Sequence, residues 1–208
     1  MTDAGSKADD AGVDSDRRKF LTIATGATAA VGAAFAASPF VASWQLSERA
    51  KALGAPVSVD LGKLEMGQMI TVVWRKQPIY IFKRSAAVVA ALVRNDDRLK
   101  DPKSADSDQP AYATNEQRSR RDDIAVLIGT CTHLGCLPKQ HFEPGDVELG
   151  ADWPGGFRCP CHGSRFDMAG RVFNGSPASV NLRVPPYSFP NETTLLIGDD
   201  GSAVQGAA

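Results

Sequence analysis

The chain has 208 residues, 23 basic and 24 acidic side chains and a net charge of -1. That balance excludes the basic footprint that nucleic-acid binding requires, and the length allows one domain plus an appendage. With 3 His and 4 Cys in total, chemistry that needs many histidines is excluded as well. The 19 Gly and 13 Pro imply many turns and a β-rich fold.

Residues 1–16 are small, polar and acidic, without apolar periodicity, and read as an unstructured tail. Arg17-Arg18-Lys19 follows, completing a cytoplasmic segment at 1–19. Phe20–Trp44 carries no charge and as a helix would span about 37 Å, enough for a hydrocarbon core of about 30 Å. Paired arginines ahead of such a segment look like a twin-arginine export signal. The basic cluster keeps the amino end in the cytoplasm and puts everything after Trp44 outside it. Ala34-Phe35-Ala36 could serve as a processing site. The apolar run continues through Phe40, Val41 and Trp44, which favours an uncleaved single-pass anchor at 20–44.

Residues 45–55 read as a flexible linker, with Ser47 capping a short helix over 48–53 that Gly54 and Pro56 end. The head then occupies 56–208. Strands are predicted at Val57–Leu61, Met69–Trp74 and Pro78–Phe82, with Arg75-Lys76-Gln77 turning the second into the third. Ser85 caps a predicted helix over Ala86–Arg94. Asn95–Asp123 reads as a long polar loop, and Arg118-Ser119-Arg120-Arg121 within it as a solvated face. Ile124–Ile128 is a buried strand. Arg171–Phe173, Leu182–Val184, Tyr187–Phe189 and Thr194–Ile197 read as further short strands, and His141 as a surface-loop histidine.

All four cysteines and two of the three histidines fall in two short boxes, Cys131-Thr132-His133-Leu134-Gly135-Cys136 and Cys159-Pro160-Cys161-His162-Gly163-Ser164. Gly135, Pro138 and Gly163 supply the turns that make ligands converge. A structural zinc site would use four N/S ligands. Six candidates exceed that number, and in an exported protein the surplus cysteine pair fits a disulfide.

The pattern C-x-H-x-G-C followed by C-x-C-H-G-S resembles the Rieske iron–sulfur proteins. With the paired arginines, anchor and linker, residues 17–198 resemble the Rieske subunits of bacterial cytochrome bc complexes, the ubiquinol–cytochrome c reductases. The resemblance implies a mainly β fold: an antiparallel β-sandwich head with an inserted cluster-binding subdomain at about 126–176, preceded by one transmembrane helix. It implies a 2Fe-2S cluster with Cys131 and Cys159 on one iron and His133 and His162 on the other, and a Cys136–Cys161 disulfide between the loops. Two neutral imidazoles in place of two thiolates raise the potential to about −150 to +300 mV, against about −400 mV for plant-type ferredoxins.

The implied activity is one-electron oxidation of ubiquinol, with His162 and His133 as the catalytic residues and His162 the more exposed. The electron would pass to a membrane-bound cytochrome c subunit and the second to a cytochrome b subunit. The complex would be dimeric, in the bacterial inner membrane with the head in the periplasm. Leu134, Ser164, Phe166 and Pro177 take the surrounding positions. Leu134 matches the family's shielding apolar residue and Ser164 its hydroxyl donor to a cluster sulfur. Phe166 stands where the family commonly has tyrosine, implying a lower potential, and Ser179 replaces the second proline of the cover loop that begins at Pro177.

The rival reading is the Rieske small subunit of a periplasmic molybdenum oxidase of the arsenite oxidase type. A ring-hydroxylating oxygenase needs two further histidines and a carboxylate for its catalytic iron, and only His141 remains. The anchor and the surplus cysteine pair disfavour a soluble ferredoxin.

Overall fold

The computed structural model describes residues 14–45 and 54–201. The chain divides into two compact units, Met1–Ala50 and Lys51–Ala208. The helix expected over 48–53 lies outside the described residues.

In the first unit, helix α1 runs over Ser15–Ser43, 29 residues, so it begins ahead of the basic cluster rather than after it. The cause is local: the Asp14 carboxylate accepts from the Asp16 and Arg17 amides and caps two otherwise unpaired donors. The helix is long and apolar enough to cross a membrane, with a mean hydropathy of 1.6 over its most apolar window. Its hydroxyls turn inward on their own backbone. Thr22 donates to Arg18 O, Thr28 to Ala24 O and Ser43 to Phe40 O. Pro39 lies inside the helix and removes the amide that would have bonded the Phe35 carbonyl. The Ser38 hydroxyl donates to that same carbonyl at 2.9 Å. Such self-satisfaction is what an apolar solvent demands of a polar backbone.

The second unit contains β1 (Val57–Asp60), β2 (Met69–Trp74), β3 (Gln77–Lys83), α2 (Ala86–Leu92), β4 (Ile124–Ile128), β5 (Lys139–His141), β6 (Gly156–Arg158), β7 (Arg165–Asp167), β8 (Tyr187–Ser188) and β9 (Thr194–Ile197). They form three three-stranded sheets, in the orders β1-β9-β8, β2-β3-β4 and β5-β6-β7. All six pairings are antiparallel. The third sheet falls between β4 and β8 in sequence, so it is an insertion into the other two.

The β2–β3 turn uses two residues rather than three. Trp74 pairs with Gln77, and Arg75 and Lys76 take φ of 49° and 63°, the left-handed pair that suits the twist of a two-residue hairpin. The Arg75 guanidinium lies 4.5 Å from the Trp74 ring centre, on its face. Ser85 caps α2 through the Val88 amide, and the last turn tightens into a 3-10 helix over Val93–Arg98. One apolar core runs through all three sheets. It joins Val59 and Leu195, Ile79 through Phe82, and Phe157 and Phe166. Each such side chain adds roughly 1.5–3 kcal/mol on burial, and the insertion shares that core with the other two sheets.

Three expectations need correction. The Arg118–Arg121 run is not a solvated face, because Arg118 and Ser119 are buried. Arg118 donates to Ala169 O and Gln109 Oε1. Arg84, equally buried, donates to Asp122 O, Gln117 O, Met168 O and Ser119 Oγ. Burial pulls both guanidiniums down to about 10, so both are cations at neutral pH, and their rigid donor forks stitch the long loop to the end of β7. Leu182 and Val184 are buried, but Leu182–Val184 forms no strand, although the Ile128 amide donates to Arg183 O. Arg171–Phe173 contributes isolated bridges alone, Val172 to Phe166 and Phe173 to Leu99.

Candidate metal centre

Both cysteine–histidine boxes are loops hung from strand ends. The first follows β4 and the second joins β6 to β7. Their backbones close alike. The Cys131 amide donates to Cys136 O at 2.8 Å and the Gly135 amide to Cys131 O at 3.0 Å. The Cys159 amide donates to Ser164 O at 2.8 Å and the Gly163 amide to Cys159 O at 3.0 Å. Each loop turns at its fifth residue, where φ is 83° at Gly135 and 76° at Gly163, a conformation that glycine adopts without steric penalty. The result is a pair of matched loops, each with a cysteine at its root.

The root cysteines are sealed, with Cys131 3% and Cys159 2% exposed, and neither is in a disulfide. Cys136 and Cys161 are joined in one, tying loop to loop across 25 residues of sequence. The sulfurs of Cys136, Cys159 and Cys161 lie within 4.8 Å of one another. Two of those three are disulfide sulfurs and have no thiolate to offer a metal. The thiols left for a metal are Cys131 and Cys159. Burial, with Cys159 alongside, pushes the Cys131 thiol up, while the His133 amide and the Ser164 hydroxyl pull in the other direction. The His133 and His162 rings stand 4.9 Å apart and nearly perpendicular, at 88°. His162 is exposed and His133 half-buried.

This donor set fits a two-iron cluster. Two buried thiols and two imidazoles would supply two ligands per iron, with the disulfide outside the ligand count. Buried thiolates without a metal cation would carry a heavy desolvation penalty.

Around these residues, Ser164 and Phe166 are fully buried, while Leu134 and Leu137 are 70% and 55% exposed. Pro177 opens the segment 177–181, which is bonded to both boxes. The Ala178 amide donates to Ser164 Oγ at 3.0 Å, and the Thr132 hydroxyl to Val180 O at 2.6 Å. Sequence reasoning missed three contributors. Thr132, inside the first box, was legible as a polar residue next to ligand positions. Lys100, whose ammonium donates to Ser176 O and Ala178 O, and Tyr80, whose hydroxyl donates to Pro138 O at 3.0 Å, left no local signal. The Tyr80 ring stacks on Phe157 and covers Gly129, where a Cβ would have no room. Burial, then the nearby Cys159, pushes the Tyr80 phenol up. His141 lies not in a loop but in β5. Its Nδ1 meets Asp146 Oδ2 at 2.9 Å, and its carbonyl accepts from Trp153 Nε1.

Comparison with known proteins adds the family. Residues 7–47 match the model for the ubiquinol–cytochrome c reductase Fe-S subunit TAT signal, and residues 56–187 that for the Rieske [2Fe-2S] domain. The chain is 51% identical to the ubiquinol–cytochrome c reductase iron-sulfur subunit of Allochromatium vinosum, over 92% of this chain and 93% of that one. It is 42% identical to the subunit of the same name from Bradyrhizobium diazoefficiens, over 88% and 94%. Among solved structures, a hyperthermophilic respiratory complex III chain matches with a TM-score of 0.47 and 23% identity, covering 84% of this chain and 98% of that one. By these sequence matches, this chain belongs to the Rieske [2Fe-2S] iron–sulfur subunits of ubiquinol–cytochrome c reductase.

Proposed function

We propose that Cys131 and Cys159 bind one iron of a 2Fe-2S cluster and His133 and His162 the other, and that this centre takes one electron at a time from ubiquinol. The carrying observation is the polarity of the site. Both thiols are sealed in the core, while His162, Leu134 and Leu137 are all exposed. When bound, the cluster supplies a one-electron centre whose potential is raised by its neutral imidazole ligands. The remaining work falls to the protein. His162, with His133 beside it, accepts a hydrogen bond from the quinol hydroxyl at the ring nitrogen that ligation leaves free. The imidazole then holds the proton released on oxidation. Leu134 excludes water from that contact. The Cys136–Cys161 disulfide keeps the two loops, and hence the two ligand pairs, in register.

The electron then goes to a membrane-bound cytochrome c subunit, with a cytochrome b subunit receiving the second one, in a dimeric complex. The apolar helix anchors the chain in the bacterial inner membrane, with residues 56–208 in the periplasm and 45–55 as the flexible tether. A disulfide within a metal centre suits that oxidising compartment.

The test is redox-poised EPR of native membranes, with and without a quinol-site inhibitor, followed by purification of the complex. A cluster signal that the inhibitor perturbs, and a b cytochrome that co-purifies, are expected. A signal indifferent to the inhibitor, with a molybdenum subunit in the purified complex, would overturn the assignment in favour of a periplasmic oxidase.

A further inference from the structure

The segment 177–181 has no regular structure, and side chains from elsewhere hold it. Lys100 is the most distant of these in sequence. Its own amide donates to Val172 O at 3.0 Å, which fixes the lysine backbone beside the strand bridge of Leu99 and Phe173. From there its ammonium reaches Ser176 O at 2.6 Å and Ala178 O at 2.8 Å. Lys100 is therefore a strut from position 172 to position 178, made of two charge-assisted hydrogen bonds.

The next contact leads to the metal centre. The Ala178 amide donates to Ser164 Oγ at 3.0 Å. A serine hydroxyl has one proton and two acceptor sites. With one acceptor site taken by Ala178, the hydroxyl has fewer directions for its proton. Ser164 also closes the second box, its carbonyl accepting from the Cys159 amide at 2.8 Å, and its hydroxyl interacts with the Cys131 thiol. Ser164 is fully buried, so no solvent competes for that proton.

We propose that Lys100 is a positioning residue for the metal centre. It holds Ala178, Ala178 orients the Ser164 hydroxyl, and that hydroxyl donates to a sulfur of the metal centre. A donor to a ligand sulfur stabilises the more negative, reduced state and so raises the potential. The chain of contacts makes a surface lysine a determinant of electron affinity. This inference rests on the reading that Cys131 is a cluster ligand.

Lys100 is exposed, so Lys100→Met removes the ammonium without leaving a buried charge. The experiment compares wild type, K100M, K100R, S164A and the K100M/S164A double variant in the purified intact complex. One readout is the EPR-monitored midpoint of the cluster, and the other is amide hydrogen exchange of peptides covering 176–181. K100M should lower electron affinity about threefold, or ~28 mV at 59 mV per tenfold for one electron. It should also speed exchange over 176–181 about fivefold or more. K100R should restore most of both. In the S164A background, K100M should no longer move the midpoint, because the hydroxyl through which it acts is gone.

A shift of equal size in the S164A background would overturn the proposal by showing that Lys100 acts as a bare charge. So would an unchanged midpoint or unchanged exchange in K100M with the cluster signal intact. Failure of the ligand reading looks different: an unaltered cluster signal in a C131A variant.

Discussion

Asp167 and Arg171 face each other at 2.8 Å with both side chains sealed from solvent. The carboxylate also accepts from the Ala169 and Arg171 amides. The guanidinium extends to Asp96 Oδ1 and Leu92 O. Loop, helix and third sheet therefore meet at one ion pair at the end of β7. Removing one partner of such a pair strands the other charge in low dielectric, at about 3–5 kcal/mol. Asp167→Ala should lower the stability of the detergent-solubilised protein by that amount in urea unfolding. A loss below 1 kcal/mol would mean that water or another cation takes over.

Phe166 is fully buried and offers no hydroxyl to the metal centre. Tyr80, whose phenol feels Cys159, donates its proton to Pro138 O instead, so it does not stand in. Phe166→Tyr should raise the cluster midpoint by roughly 40–65 mV, if the new hydrogen bond is about 1–1.5 kcal/mol stronger in the reduced state. Protein-film voltammetry measures this, and an unchanged or lowered midpoint contradicts it.

The Cys136–Cys161 disulfide closes a loop with a sequence separation of 25. Chain-entropy arguments put its effect at about 3.5 kcal/mol. The paired Cys136→Ala and Cys161→Ala variant should lose about that much stability. It should also retain less iron per chain after purification, since the two loops are then free to part. Full iron content in the double variant would show that the core alone fixes the loops.

Tyr187 gives an alkaline signature. Burial pushes its phenol from 10.0 up to about 12. The folded group therefore binds a proton over a range where the unfolded one has lost it, so stability falls as pH rises from about 10 towards 12. At 1.36 kcal/mol per unit, the loss over that window is roughly 2–3 kcal/mol. Below pH 10 the contribution is complete and flat. Tyr187→Phe should flatten the alkaline slope in denaturation curves collected between pH 9 and about 12. An identical slope in the variant would assign the effect to other groups.

If residues 45–55 tether a moving head, shortening them should slow quinol-to-cytochrome turnover and leave the cluster midpoint alone. Steady-state turnover and redox titration of the same membranes separate the two effects. Normal turnover with a tightly shortened tether would rule out head movement as a required step.

The clustering of Cys131, His133, Cys136, Cys159, Cys161 and His162 was legible because it is local. Loop chemistry of that kind is written in consecutive residues, and turn glycines such as Gly135 and Gly163 come with it. The strands at 69–74, 124–128 and 194–197 were legible for the same reason, as runs rich in apolar and β-branched residues. Strands β5, β6 and β7 are three residues each, too short to show an alternation. Arg118 misled because a basic run is ordinarily solvated. Its burial depends on the carbonyl of Ala169, 51 residues away.

The sequence by itself determined the clustering of cysteines and histidines in two boxes, the apolar helix and the β-rich character of the head, since each depends on residue type and short spacing. Tertiary structure decided what surrounds those residues. It sealed Cys131 and Cys159 while leaving His162 exposed, gave Tyr80 to Pro138, and brought Lys100 and Thr132 to the segment after Pro177. Those contacts span 48 to 78 positions. Backbone and side-chain groups so far apart are matched by the packing of three sheets on one core, and no local pattern records that match.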